Sequence, residues 1–371
     1  MHRRGPFFIE VGNMNDSFER MLIARAYQEK MPLSGSLELT PLCTMDCDMC
    51  YVKMKKKEQE REGKILDAKE WLEIAQQLKE AGTLFILLTG GEPLLHPQFK
   101  EIYLGLKKLG MIITLNTNGT LIDEAWADFF FQNPPRRINI SLYGGSKETY
   151  EQVCHYPQGF EQTVRSIRLL KERNIDVKMN GSLIKENERD LEAIVEMAKH
   201  LDVAINVDTY MYPVKGRAKK QEVRLSPERA AVEKIRFQKM IMEKEAFAGL
   251  REETLACMKS EIPDSGSLKM RCQAGASSFA ISWKGELSPC VMLKEIGKIP
   301  VLVLGFQKSW EQITKIREEI CLNHECGTCS MKNICQICAA SALHEEGDCR
   351  KKPEYICQYT KTYLEEIRNQ K

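Results

Sequence analysis

From residue 36 onward the chain alternates short apolar runs with longer stretches whose apolar positions return every three or four residues. The runs at 36–40, 85–89, 112–116, 138–142, 177–183 and 204–209 read as strands. Between them, Trp71, Leu72, Ala75 and Leu78 recur at helical spacing, and further helices are predicted over 97–109, 122–131, 160–173 and 190–200. Six strand-then-helix units in series require a parallel sheet, because a parallel neighbour is reached only through a crossover. The expected fold is α/β: a partial (β/α)6 TIM-like barrel, with an open Rossmann-type sheet as the competing arrangement. No glycine-rich dinucleotide fingerprint follows the first strand, which weakens the second arrangement. In both, ligands sit at the C-terminal ends of the strands.

Near residue 210 the pattern changes. Ser226-Pro227 is a helix start, an N-cap followed by a proline in the first turn, and helical periodicity runs on to about Lys259. Ile262-Pro263-Asp264-Ser265-Gly266 breaks it, and from Met270 the elements shorten while cysteines crowd together. The expected division is an N-terminal helical extension (1–34), the barrel (35–215), a helical linker (216–268) and a small C-terminal cysteine-rich domain (269–371). In the extension, residues 15–30 fit one helix with Phe18, Leu22, Ile23 and Ala26 on a face. The Lys- and Glu-rich stretch 53–64 reads as a solvated loop.

Composition narrows the function. The 54 basic and 52 acidic residues leave a formal charge of +2, so the chain offers no overall electrostatic footprint for a nucleic-acid backbone. Residues 1–10 have no apolar core of a signal peptide, and the longest apolar runs, 84–88 and 299–304, are far too short for a bilayer. A cytoplasmic protein is expected, with neither nucleic acid nor membrane as partner. Its 14 cysteines, ten of them after residue 250, are then reduced thiols, most of them expected to be metal ligands rather than disulfides.

The first group is Cys43-Thr44-Met45-Asp46-Cys47-Asp48-Met49-Cys50, directly after the first strand. Thiolates spaced CxxxCxxC can hold three irons of a 4Fe–4S cubane and leave the fourth iron open to a small ligand. Zinc with a distant fourth ligand is the alternative. The second strand ends in Thr89-Gly90-Gly91-Glu92-Pro93, where the glycines permit close backbone approach and Glu92 offers a carboxylate to an ammonium. Together the two motifs resemble the radical S-adenosylmethionine (radical SAM) superfamily, over roughly residues 34–215. The resemblance implies SAM chelated at the open iron, its amine held at the glycine–glycine–glutamate turn, and reductive cleavage to a 5′-deoxyadenosyl radical. It also places Met49 and Tyr51 near the adenine, Asn118 in the SAM pocket, and Ser141 near the ribose. Met49 stands where the family usually has an aromatic residue.

The C-terminal cysteines add a second pattern. Cys272 is followed by twelve residues, Gly285, four residues and Cys290; then come Cys326, Cys329, Cys335, Cys338 and Cys357. Without family knowledge, CxxC-x5-CxxC reads as a zinc knuckle or as iron–sulfur ligation. Over 270–360 it resembles the SPASM extension of peptide-modifying radical SAM enzymes, which binds two auxiliary 4Fe–4S clusters. One departure is that Cys335 and Cys338 are separated by two residues instead of three. By that resemblance Cys272, Cys290 and Cys338 serve auxiliary cluster I, and Cys326, Cys329, Cys335 and Cys357 serve cluster II. The fourth ligand of cluster I stays open between Cys257, Cys321, Cys349 and a substrate thiolate. Cys154 reads as an ordinary packed thiol.

The resemblance implies a maturase acting on a ribosomally made precursor peptide, forming a thioether or another crosslink. A formylglycine-forming sulfatase maturase and a non-catalytic iron–sulfur carrier or sensor are the alternatives. About 35 residues precede the first strand, too few for a winged-helix leader-binding domain, so either a separate leader-recognition protein or direct leader contacts by the catalytic body are expected. An electron donor such as flavodoxin or ferredoxin is a further expected partner. Tyr143, Asp208 and Tyr210 fall at the predicted barrel mouth, and no catalytic acid or base is assigned.

Overall fold

The computed structural model describes residues 16–213, 222–259, 268–335 and 337–370. The residues read for a signal peptide and the Ile262–Gly266 break lie outside them. Six parallel strands form the centre: β1 (Ser34–Glu38), β2 (Phe85–Thr89), β3 (Ile112–Thr117), β4 (Arg137–Ser141), β5 (Val177–Ser182) and β6 (Ala204–Asp208). They lie in sequence order, as successive crossover units of one hand must. On one face of the sheet Leu37, Ile86, Leu88, Ile113, Leu115, Ile138, Ile140 and Met179 are buried beneath the crossover helices. Burial of each such side chain contributes about 1.5–3 kcal/mol.

The alternate positions are different. Ser36, Leu87, Thr114, Asn116, Asn139 and Asn180 are only half-buried and line the concave side. A closed TIM barrel fills that space with branched apolar side chains. Here these positions are largely polar, and a cavity of about 290 Å³ with a mostly apolar lining opens among Ser36, Leu87, Thr114, Phe279 and Cys290.

The cysteine-rich region is not hung on a separate sheet. Its first strand, β7 (Ser278–Ile281), pairs in parallel with β1, Ser34 opposite Ser278. β8 (Glu286–Ser288) and β9 (Ile299–Pro300) then add antiparallel strands, so all nine form one sheet in the order β6-β5-β4-β3-β2-β1-β7-β8-β9. The helix Phe306–Glu319 buries Phe306, Trp310 and Ile313, and the Trp310 indole donates to the Lys30 carbonyl at 2.8 Å. That bond ties the region to the end of the N-terminal helix Asp16–Glu29.

Two local expectations differ from the structure. The helix from Ser226 is two helices, Pro227–Ile241 and Lys244–Lys259, because Met242 is extended. The first is no exposed tether: Ala230, Ala231 and Phe237 are buried, and its Gln238 accepts from Tyr363 of the helix Glu354–Asn369 at 3.1 Å. The Lys- and Glu-rich stretch contains a helix, Lys56–Glu62, largely exposed yet ordered. Glu58 accepts from the Lys55 backbone N–H at 2.8 Å, satisfying one of the donors a helix start leaves free. No helix among the described residues is long and apolar enough to cross a membrane.

Candidate functional site

The cysteine loop hangs between two supports at the C-terminal end of the barrel. On one side the turn after β2 grips it: the Gly91 N–H donates to the Thr40 carbonyl at 2.7 Å and the Glu92 N–H to the Leu42 carbonyl at 2.8 Å. A Cβ at Gly90 would lie 2.4 Å from the Thr40 oxygen, and one at Gly91 only 2.2 Å from the Leu42 oxygen. Gly90 also has φ +139°. The glycines therefore admit the backbone of the cysteine loop itself, in addition to any ligand. On the other side the Asp46 and Asp48 N–H groups donate to the Cys154 and Val153 carbonyls at 2.9 and 3.0 Å. Lys53 pairs with Asp46 at 2.8 Å and His155 with Asp48 at 2.9 Å, while Met45 and Met49 point into the core.

So held, Cys43, Cys47 and Cys50 are partly exposed and near enough for the charges of the latter two to bear on Cys43. Burial, then the Glu92 charge, pushes the Cys43 thiol up to about 12. Cys47 is raised as well, first by its side-chain contact with Cys154 and then by burial. Iron binding would displace these protons. Backbone N–H groups of Val52 and Lys53 reach the Cys50 sulfur at 3.5 and 3.3 Å, and the Asn118 amide reaches that of Cys43 at 3.5 Å. Such donors stabilise a thiolate ligand. Among the described residues no three His, Cys, Asp or Glu side chains surround a single ion. A cubane asks something different, because each thiolate meets its own iron.

Glu92 is completely buried. Its carboxylate accepts from the Thr117 hydroxyl at 2.8 Å, the Asn118 N–H at 2.9 Å and the Leu94 N–H at 3.1 Å. Burial nonetheless raises it to about 7, and among the described residues no cation pairs with it. A ligand ammonium would supply the missing counter-charge, so the donor set fits SAM. Asn118 is clamped rather than free: its amide donates to Thr44 at 3.0 Å and its oxygen accepts from the Thr120 N–H at 2.9 Å. Thr117, in the segment 116–119 that the resemblance puts at the SAM pocket, and Thr44, to which the sequence assigns no role, thus join the β3 end to the cysteine loop.

Ser141 lies half-buried at the end of β4, beside Tyr143. Burial, and next the Cys47 charge, pushes the Tyr143 phenol well up. Tyr51 is half-exposed and sits with its ring 5.4 Å from the ammonium of Lys294, which pairs with buried Glu38 at 2.7 Å. Asp208 is exposed at the end of β6. Two residues on, Tyr210 donates to Glu345 at 2.8 Å, and the Tyr212 hydroxyl points at the Cys338 sulfur at 3.8 Å.

The remaining thiols fall into two groups. The Cys338 charge bears on Cys272, on Cys290 and, outside the expected seven, on Cys349. Cys326 feels Cys357, Cys335 and Cys329. Cys321 is turned to the Lys269 ammonium, 3.1 Å away, and the Cys257 carbonyl accepts from Asn333, between Cys329 and Cys335.

A family model described as the Radical SAM superfamily matches residues 37–198. An AdoMet-dependent heme synthase of Methanosarcina barkeri is 25% identical over 345 residues, covering 87% of this chain and 95% of that protein. A PqqA peptide cyclase of Bradyrhizobium diazoefficiens is 24% identical over 333 residues, covering 86% and 82%. The solved structure of native anSMEcpe with bound AdoMet and Kp18Cys peptide superposes with a TM-score of 0.68 at 20% identity, covering 91% of this chain and 98% of that one. Glycine–glycine–glutamate turn, three-cysteine loop and six-strand barrel agree with that assignment. Residues 37–198 are a radical SAM domain, with a three-cysteine loop after its first barrel strand and a cysteine-rich region following it in the chain.

Proposed function

We propose that the enzyme is a maturase that cleaves SAM reductively and takes a hydrogen atom from a ribosomally synthesised peptide, joining two of its side chains by a thioether or another crosslink. The second hydrogen would leave as a proton and its electron would pass to an iron–sulfur centre held by the chain's cysteines. In this reading Cys43, Cys47 and Cys50 hold a 4Fe–4S cluster, and Met49, Tyr51, Gly90, Gly91, Glu92, Asn118 and Ser141 surround SAM. Bound there, the cluster and SAM supply a strong hydrogen-atom abstractor, and the chain sets where it acts. Glu92 meets the ligand ammonium with a dry carboxylate, and buried Met45 and Met49 keep water from the loop. The half-buried Ser36, Thr114, Asn116, Asn139 and Asn180 offer hydrogen bonds to an extended backbone in the lumen.

The observation that carries this reading is the row of half-buried polar side chains Ser36, Thr114, Asn116, Asn139 and Asn180 on the concave side of the sheet, with Cys290 lining the cavity that Ser36 and Thr114 share. Cys272, Cys290 and Cys338 would hold auxiliary cluster I and Cys326, Cys329, Cys335 and Cys357 cluster II. The Cys338 charge bears on one of the spare thiols, Cys349, so we take it as the closing ligand of cluster I. A leader-recognition protein and a flavodoxin or ferredoxin complete the set of partners.

The test is co-expression with candidate precursor peptides and mass spectrometry. Loss of two hydrogens at one residue pair, with 5′-deoxyadenosine formed, supports the reading. A haem-forming reaction is the second reading, favoured by the span of the heme-synthase relative. Turnover of a tetrapyrrole with every peptide left unchanged would select it.

A further inference from the structure

The loop after Cys50 and the loop after Cys290 come together at one ion pair, whose carboxylate is buried and whose ammonium is partly exposed. Glu38, five residues before Cys43 on β1, is 1% exposed. Lys294, four residues after Cys290, brings its ammonium to 2.7 Å from Glu38 Oε1. Among the described residues that oxygen has no partner other than the Lys294 ammonium. The same ammonium stands 5.4 Å from the ring centre of Tyr51, the residue directly after Cys50. The charges of Glu38, Cys50 and Cys290 all bear on the Tyr51 hydroxyl. Tyr51 is therefore set between a thiol of the first cysteine loop and a thiol of the C-terminal group.

Such a pair is a poor device for stability alone. Taking the Glu38 charge out of water costs more than one contact with a partly exposed ammonium returns, and burial indeed raises Glu38 in spite of Lys294. Two apolar side chains of the same volume would hold the strand and the loop together as well. An ammonium does what they cannot: it fixes one distance to the carboxylate and one to the aromatic face at the same time.

We propose that Glu38 and Lys294 are positioning residues that lock Tyr51 between the two thiol-bearing loops, fixing their separation and forming the wall past which the substrate is held. The proposal rests on the reading that both loops ligate iron–sulfur clusters.

The double variant Glu38→Gln/Lys294→Met removes both charges at nearly constant volume, without stranding either one. It is compared with the native protein, both reconstituted with iron and sulfide, by iron content, by Tm, and by pulsed EPR of the magnetic interaction between the clusters. None of these needs a substrate. The expected result is native iron content and Tm with a weaker and broader inter-cluster interaction. A folded, fully loaded double variant with the native interaction overturns the proposal. Should the double variant not fold, Tyr51→Leu replaces it, since Tyr51 is half-exposed and its loss leaves the ion pair intact. That variant should lower modified product per SAM cleaved about tenfold, the scale expected when a reacting centre is misplaced by a fraction of an ångström. A native ratio overturns the proposal equally. If the native protein carries iron for one cluster only, no interaction exists to measure, and the cluster reading itself has failed.

Discussion

Gly91→Ala is the most direct test of how the barrel holds its cysteine loop. The added Cβ would stand 2.2 Å from the Leu42 oxygen, 2.7 Å from the Leu42 carbonyl carbon and 2.8 Å from the Pro41 oxygen. All three atoms are backbone, so no side chain can swing aside. Real contacts of this kind begin near 3.0 Å, and the turn must withdraw from the loop by about 0.8 Å. Withdrawal breaks or stretches the Gly91-to-Thr40 and Glu92-to-Leu42 hydrogen bonds, now 2.7 and 2.8 Å. Two such bonds contribute about 1 kcal/mol each, and with the residual strain the loss is about 2–4 kcal/mol. The same shift displaces Cys43 and Glu92 relative to each other, which should lower SAM cleavage by about 100-fold. The assays are thermal unfolding of the metal-free protein, iron content after reconstitution, and 5′-deoxyadenosine formation. Gly249→Ala is the control: nothing lies within 4 Å of its Cβ position in the helix Lys244–Lys259, so stability should rise by up to about 1 kcal/mol. Gly91→Ala with native Tm and native SAM cleavage would refute the reasoning.

Four further outcomes are expected. Replacing Cys43, Cys47 and Cys50 together by Ala should abolish 5′-deoxyadenosine formation while iron falls from about twelve to about eight per chain, as counted by chemical assay. Glu92→Gln puts an amide where Thr117 and two backbone N–H groups now donate. It should weaken SAM binding at least about tenfold by isothermal titration, as expected for loss of a charge-assisted contact. Cys349→Ala should convert part of the auxiliary iron to a three-iron signal by EPR, and an unchanged spectrum would return the fourth ligand to another group. Burial lowers the pKa of Lys234, whose ammonium donates to the Val207 carbonyl at 3.3 Å. The unfolded chain then binds more protons, so stability climbs as pH rises through the window between the lowered value and 10.5. Lys234→Met should remove that slope and raise Tm at pH 7.

Hydrophobic periodicity located the strands because each is short, apolar on one face and bounded by a turn. The predicted 85–89 coincides with β2, and the others shift by two residues or fewer at their ends. The cysteine loop was legible for another reason, since three ligands within eight residues need no tertiary information. Contacts that span the chain were not legible. Nothing near Ser278 says that it pairs with Ser34, and nothing near Lys294 points to Glu38. In sequence Gly91 suggests room for a ligand, whereas its nearest neighbour is the Leu42 carbonyl, in the loop after β1. The Lys- and Glu-rich stretch misled because charge predicts solvation, not coil, and Glu58 at the third position caps a helix.

The pairing of β7 with β1 also dictates an order of events during synthesis. β1 is complete at residue 38, but its partner on that side begins at residue 278. At roughly 5–20 residues per second, the ribosome takes on the order of 10–50 s to make the intervening chain. Throughout that time the nascent barrel presents a bare strand edge, the template on which chains associate wrongly. The same interval leaves Cys43, Cys47 and Cys50 without the Cys290 and Lys294 loop beside them, open to whatever delivers iron and sulfide. The late strand thus acts as a closing door: one arrival removes the edge on which the chain would aggregate and seals the metal-loading side of the barrel.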